Sequence, residues 1–399
     1  MSRPTSPTPS ADSTVMTPED LDARLIRFTH WVPCKAAFID CKTPGSDRKD
    51  NYSFVGPGVS QSSNQFVNLA TPHGYQLGAA GMPADVSNNL HLHFTAEVFL
   101  NLGGRFRLRW GPNGEQGNYV SEDGDVISVP TWIFRGFTNI GPDDGILYTV
   151  LGRDDTGGII WGPKVLEEAE GYGLYLTRGN QLVDTTIGEE APAPDERITP
   201  LDQAYLDDLD VFSPEDFRTR VVTKGDRRYS DRPFLCSVLP GGRGRLATVI
   251  GYGLSEDRRQ VPSLTEPHSF CAAWLSAVPG EGMSTHRVGV AETVTVKSGA
   301  WDVILNDGDD ETVVSLGERD TLSIPAGVWR AFRCTARPDG SGDSAAADDA
   351  DLFLVTAGDQ RVEIDWHPRV EQAAADAGAA LDPNHYVAPA AVLASIGLR

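Results

Sequence analysis

At 399 residues the chain is too long for one ordinary domain and suits two. Its formal charge of −22 argues against nucleic acid, whose phosphates would be repelled. With 40 % apolar and 23 % charged residues it can bury sizeable cores, and no apolar run reaches membrane-span length; the expected partner is a small-molecule substrate, with no nucleic acid and no membrane.

Residues 1–20 open the chain with a Ser-, Thr- and Pro-rich stretch that has no apolar core segment, which predicts a disordered lead rather than a signal peptide. Leu21 to Phe28 reads as a short helix. Apolar runs broken by Gly, Asn and Pro follow, notably Tyr52–Val55 and Gln65–Leu69. After a turn at Ser87-Asn88-Asn89 comes His91-Leu92-His93-Phe94-Thr95-Ala96-Glu97, and then strand-like Arg105–Trp110, Asp125–Pro130, Trp132–Phe137 and Ile146–Leu151. Short strands at this spacing, in a chain with 41 Gly and 27 Pro, predict an all-β sandwich or barrel. Pro163–Gly171 reads as a closing helix.

Residues 183–217 form an acidic, Pro-rich linker with a helix over Leu201–Leu209, and strand-like runs resume from Arg218, including Phe234–Leu239 and Leu246–Ile250. Arg337–Asp351 reads as a loop insertion, and 367–399 as a tail with helices over Arg369–Ala380 and Ala388–Leu398. The five cysteines are odd in number and lack a CxxC pair, so reduced thiols in a cytoplasm are expected.

The His91–Glu97 stretch carries the chemistry. On a strand the side-chain period is two, so His91, His93 and Glu97 would share one face. Two imidazoles and a carboxylate suit a divalent transition metal, Fe(II) first, with Zn, Mn or Ni as alternatives. The spacing resembles the first signature of the cupin superfamily, with Gly104 closing it and Asp85 where the opening Gly belongs. Of the second cupin signature, Gly124, Pro130 and Asn139 are present, while Trp132 replaces the inner Gly and Arg135 the last His ligand.

The same landmarks recur after a shift of 195 positions, which takes His91 to His286, Glu97 to Glu292, Gly104 to Gly299, Pro130 to Pro325 and Arg135 to Arg330. Beyond a longer loop in the second copy, Trp161-Gly-Pro163 meets Trp366-His-Pro368. The chain therefore resembles a bicupin: two jelly-roll β-barrel domains in tandem with short flanking helices, the first over 21–182 and a degenerate second over 218–366. Bicupins resemble a fused cupin dimer and often assemble further, so a homo-oligomer is an expectation.

His93 meets Val288, so the second copy keeps only His286 and Glu292, and the metal belongs to the first. The resemblance implies a range from dioxygenases, decarboxylases, isomerases and lyases to sugar-binding and storage proteins. The ligand set is read first as that of a mononuclear Fe(II) cupin-type dioxygenase acting on a small aromatic or enolisable carbonyl compound. A non-redox lyase or isomerase is the second reading. The third is a non-enzymatic binding protein in which an Arg–Glu pair replaces the metal. In the first, Arg135 is catalytic and orients a substrate oxyanion. Trp110, Trp132, Phe134 and Phe137 are candidate pocket walls, and His73 a candidate extra ligand.

Overall fold

The computed structural model describes residues 14–338 and 349–397. Two compact units separate: Trp31–Asp226, and Arg227–Arg399 joined by the N-terminal Met1–His30.

The first unit has two antiparallel-rich sheets. One runs in the order Ile159–Trp161, Ser87–His93, Arg135–Asn139, Phe106–Trp110, Gly117–Ser121. The other runs Val221–Val222, Val126–Val129, Glu97–Asn101, Gly145–Gly152, Tyr75–Met82, Asp50–Val55, Val67–Leu69. In the second unit the five-stranded order is Ile364–Trp366, Gly282–Val288, Arg330–Ala336, Ala300–Leu305, Thr312–Leu316. Its seven-stranded sheet runs Leu25–Ile26, Thr321–Ile324, Glu292–Val296, Ala350–Ala357, Phe270–Ala277, Arg245–Ile250, Tyr229–Ser230. The orders match except at the outermost strand of the seven-stranded sheet, which is Val67–Leu69, parallel to its neighbour, in the first unit and Tyr229–Ser230, antiparallel to its neighbour, in the second. The chain has two jelly-roll barrels in tandem, and the repeat in the sequence is a repeat of whole barrels.

Landmark contacts repeat as well. Trp161 Nε1 donates to Gln61 Oε1 at 3.0 Å, and Trp366 Nε1 donates to Glu256 Oε1 at 2.8 Å. The seven-stranded sheet of each unit holds strands such as Glu97–Asn101 and Phe270–Ala277, whose every residue is buried. Burial on both faces explains why these strands read as continuous rather than alternating.

Two positions show what the barrel demands of the backbone. Gly280 and Gly327 have φ of 87° and 78°, and their counterparts Asp85 and Trp132 are held at 62° and 60° although they are not glycines. The turns persist and the residues bear the left-handed conformation.

The segment boundaries differ from the sequence expectation at both ends of the first barrel. Residues 14–20, assigned to a disordered lead, are placed: Met16 is buried and its amide donates to Asn306 Oδ1 at 2.8 Å. A helix over Pro18–Arg24, capped by Thr17, leads into Leu25–Ile26, which pairs with Leu322 and Thr321 of the second barrel. Residues 21–30 thus belong to the second unit. Conversely, Pro214–Arg218, capped by Ser213, leads into Val221–Val222, which pairs with Ile127 and Val126 of the first barrel. Each two-residue strand covers an otherwise open sheet edge. Arg24 donates to Ser323 Oγ at 3.1 Å, as Arg220 does to Ser128 Oγ at 2.9 Å.

The helix over Pro163–Gly171 matches its expected bounds. The linker helix shortens to Gln203–Asp207, and the tail helices to Pro368–Asp376 and Ala390–Ser395, each ended by a turn and a short strand or the next loop. Residues 339–348 of the expected loop insertion lie outside the described residues, as do 1–13 of the lead. All five cysteines are buried and unpaired. Among the described residues no helix is long and apolar enough to cross a membrane.

Candidate metal centre and ligand cavity

His91 and His93 stand at the end of Ser87–His93, but Glu97 does not share their strand. The chain turns at Phe94-Thr95-Ala96 and Glu97 opens a strand of the opposite sheet. The three side chains converge because the chain crosses between sheets, not because of a period of two. Their ligand atoms lie within 4.8 Å of one another, all buried, and His93 Nε2 stands 3.5 Å from Glu97 Oε1.

Local hydrogen bonds set their protonation. His91 Nδ1 lies 2.7 Å from the Asn89 carbonyl, which can only accept, so the proton sits on Nδ1 and the lone pair on Nε2. Burial, then the charge of Arg135, holds the imidazole well below its usual pKa, so it stays neutral. Asn88 Nδ2 stands 3.2 Å from the same Nδ1, and Asn88 Oδ1 accepts from the fully buried Lys49, which pairs with buried Asp40. Burial lowers the Lys49 pKa and Asp40 opposes the shift.

Arg135 lies where the fold predicts, beside Glu97. Its Nε and Nη2 donate to Glu97 Oε2 at 2.9 and 2.7 Å, and its Nη1 to the Ile133 carbonyl at 3.2 Å. Burial pushes the Glu97 carboxyl up to about 8, while the two bonds from Arg135 favour its charged form. Glu97 Oε1 is left free of Arg135. The second barrel repeats the pair: Arg330 Nε donates to Glu292 Oε2 at 3.0 Å and Nη1 to the Val328 carbonyl at 2.7 Å.

A cavity of about 80 Å³ opens on the three candidate ligands, with Asn51, Tyr52 and Thr149 among its other walls. Of the four aromatic residues expected at a pocket, only Phe137 lines it. Trp110 is buried against Phe217 with ring centroids 4.1 Å apart, and Phe134 is buried away from the cavity. Trp132 is 49 % exposed and packs on Phe94. The strand begins only at Arg135, so Trp132 and Phe134 lie in the turn and loop before it, and a register shift between Arg135 and Phe137 lets Phe137 alone face the cavity. Arg135 does not line the cavity, so the expected anchor for a substrate oxyanion is turned into the protein. His73 Nδ1 lies 2.6 Å from the Thr71 carbonyl, a contact His268 repeats with Glu266, and His73 is outside the ligand cluster.

Sequence reading missed Asn51, Tyr52, Thr149, Asn88, Lys49 and Asp40. The repeat holds the signal for several of them. Across the 195-residue shift Asn88 meets Met283 on equivalent strands, each opposite a Phe, Phe137 or Phe332. A polar residue kept in one copy and apolar in the other marks the barrel that uses it.

No family model matches the sequence, and no curated protein does. Among solved structures, the chain is similar to the oxalate decarboxylase of Lactobacillus farciminis in its formate complex, at 12 % identity and a TM-score of 0.47, covering 84 % of this chain and 86 % of that one. It is also similar to vicilin from Corylus avellana, at 10 % identity and a TM-score of 0.46, covering 86 % and 87 %. Identities this low assign no residue of this chain a role.

Proposed function

We propose that the first barrel is a small-molecule site whose working groups are His91, His93 and Glu97, and that these three hold a divalent metal ion. The observation that supports this reading most is that, among the described residues, the ligand set stands in the first barrel and opens on a cavity there. Where the first barrel has His93, Ala80 and Thr149, the second has Val288, Leu275 and Leu354, all buried in its apolar core. Thr149 pairs with Gly78 as Leu354 does with Ala273, so these positions are equivalent.

The donor set suits the ion. His91 presents Nε2, Glu97 presents Oε1, and the bonds from Arg135 fix the carboxylate, as outer partners of metal ligands do. The Arg–Glu pair does not argue against a metal by itself, because it also stands in the barrel that lacks the ligand set. When bound, such an ion would act as a Lewis acid or an O2-binding centre, and Fe(II) is the species this ligand type suits. Arg135 is then a positioning residue, and Asn51, Tyr52 and Thr149 face the ligand with hydrogen-bonding groups. The cavity lining contains no Lys or Arg, which favours a neutral substrate, a small carbonyl or aromatic compound, over a carboxylate.

A second reading, metal-free ligand binding, is favoured by one atom. His93 Nδ1 is buried with no partner, whereas metal-bound imidazoles normally donate from the other ring nitrogen. Metal analysis of protein purified without added metal separates the two, backed by anaerobic thermal melts with and without Fe(II). The metal reading expects up to one ion per chain, lost in His91→Ala, His93→Ala and Glu97→Ala and kept in His286→Ala. Metal-free protein whose melting is indifferent to Fe(II), Mn(II) and Zn(II) would leave the second reading standing.

A further inference from the structure

The second barrel has its own unsatisfied polar cluster, independent of the metal question. His286 Nε2, Glu292 Oε1, Arg330 Nη2, Thr248 Oγ1 and Thr356 Oγ1 are all buried with no hydrogen-bond partner. Strand register gathers them: His286 lies opposite Arg330, Glu292 opposite Thr356, and Arg330 is bonded to Glu292. Thr356 is the counterpart of Leu151, which lines the cavity of the first barrel, so these groups surround the equivalent interior.

A buried polar atom left unpaired loses its hydration with nothing in return, and folded proteins meet polar clusters of this kind with bound water or ligand. The donor count specifies the guest. His286 Nδ1 lies 2.8 Å from the Ser284 carbonyl, so Nε2 is an acceptor, as is Glu292 Oε1. Arg330 Nη2 is a donor. Two acceptors and one donor complement a molecule that gives two hydrogens and accepts one. The charges of Arg330 and Glu292 cancel at 3.0 Å, and burial holds His286 at a pKa of about 3, hence neutral. Nothing here offers a cation a second free carboxylate or a second imidazole.

We infer that the second barrel binds a neutral hydroxylic guest, of water's size and hydrogen-bonding pattern, between His286 Nε2, Glu292 Oε1 and Arg330 Nη2. The threonine hydroxyls can turn toward it and add further bonds. The apolar packing by Val288, Leu275 and Leu354 is therefore interrupted at this polar cluster by one water-sized guest.

A crystal structure of the full chain, at a resolution that places solvent, tests this directly. The expected result is one solvent-sized peak within hydrogen-bond distance of all three atoms, without anomalous signal at transition-metal edges, and its loss in His286→Phe. Denaturing the protein and analysing the released small molecules should yield no stoichiometric organic, and a released alcohol, which has one hydrogen to give instead of two, would overturn the inference. An anomalous peak, a released organic acid, or three atoms that prove dry or bonded to other protein groups would each overturn the inference. A peak unmoved in His286→Phe would do the same.

Discussion

Two barrels that share their strand order up to one outermost strand differ in what fills them. The second is packed with Val288, Leu275 and Leu354, while the first replaces these with His93, Ala80 and Thr149 and keeps a cavity. What they share, namely the Arg–Glu pair, the Trp braced by Gln61 or Glu256, and the edge strand brought by a capped helix, belongs to the scaffold. What they do not share marks the working barrel. The buried Lys49–Asp40 pair beside Asn88 sits on that side of the comparison, and its burial has to be offset by the bonds that it makes.

The largest effect should come from the shared pair. Arg135→Ala and Arg330→Ala each strand a buried carboxylate, and each should cost roughly 3–5 kcal/mol of stability in urea denaturation. Similar losses in both barrels mean a scaffold pair. A loss confined to Arg330→Ala would place Arg135 in function alone.

The fillings can be exchanged next. Leu354→Thr opens the packed barrel and should cost about 2–5 kcal/mol. Thr149→Leu enters a space that already exists and should change stability by less than about 1.5 kcal/mol. It should also abolish ligand binding. Equal costs for the two exchanges would mean that the first barrel has no room.

The Trp brace separates the barrels by pH. Burial raises the Glu256 carboxyl to about 7, against hydrogen bonds from Trp366 and Leu235 that lower it. Its folded pKa thus exceeds the ordinary 4.5, so the folded state holds the extra proton and this contribution is full below pH 4.5. It is lost as pH rises toward 7. Glu256→Gln, which copies Gln61, should remove that slope, worth on the order of 2–3 kcal/mol, in melts taken across the same range. An unchanged slope would mean that Glu256 is ionised throughout.

The smallest effect is in the turns. Asp85→Gly should stabilise the first barrel by about 0.5–1 kcal/mol, because the residue is held at φ 62°. Gly280→Asp should cost a similar amount, since nothing crowds its Cβ and only the backbone objects. A destabilising Asp85→Gly would show that the Asp side chain itself holds the turn.

The sequence by itself determined the barrels. A constant shift over unlike residues survives because Gly299, Pro325 and the buried Arg330 answer to backbone angle and burial, which are local demands of each turn and strand. The sequence also carries Thr17-Pro-Glu-Asp and Ser213-Pro-Glu-Asp, which open the same capped helix ahead of each repeat. Only the tertiary structure decided that the N-terminal arm closes the second barrel and its counterpart the first, because edge pairing joins residues far apart in the chain. The same holds for the site. Spacing placed His91, His93 and Glu97 in one cluster but on the wrong single strand, and it could not tell that Arg135 spends its donors on Glu97 and Ile133. Which way a side chain turns inside a barrel depends on both sheets at once, and a one-dimensional pattern records only one of them at a time.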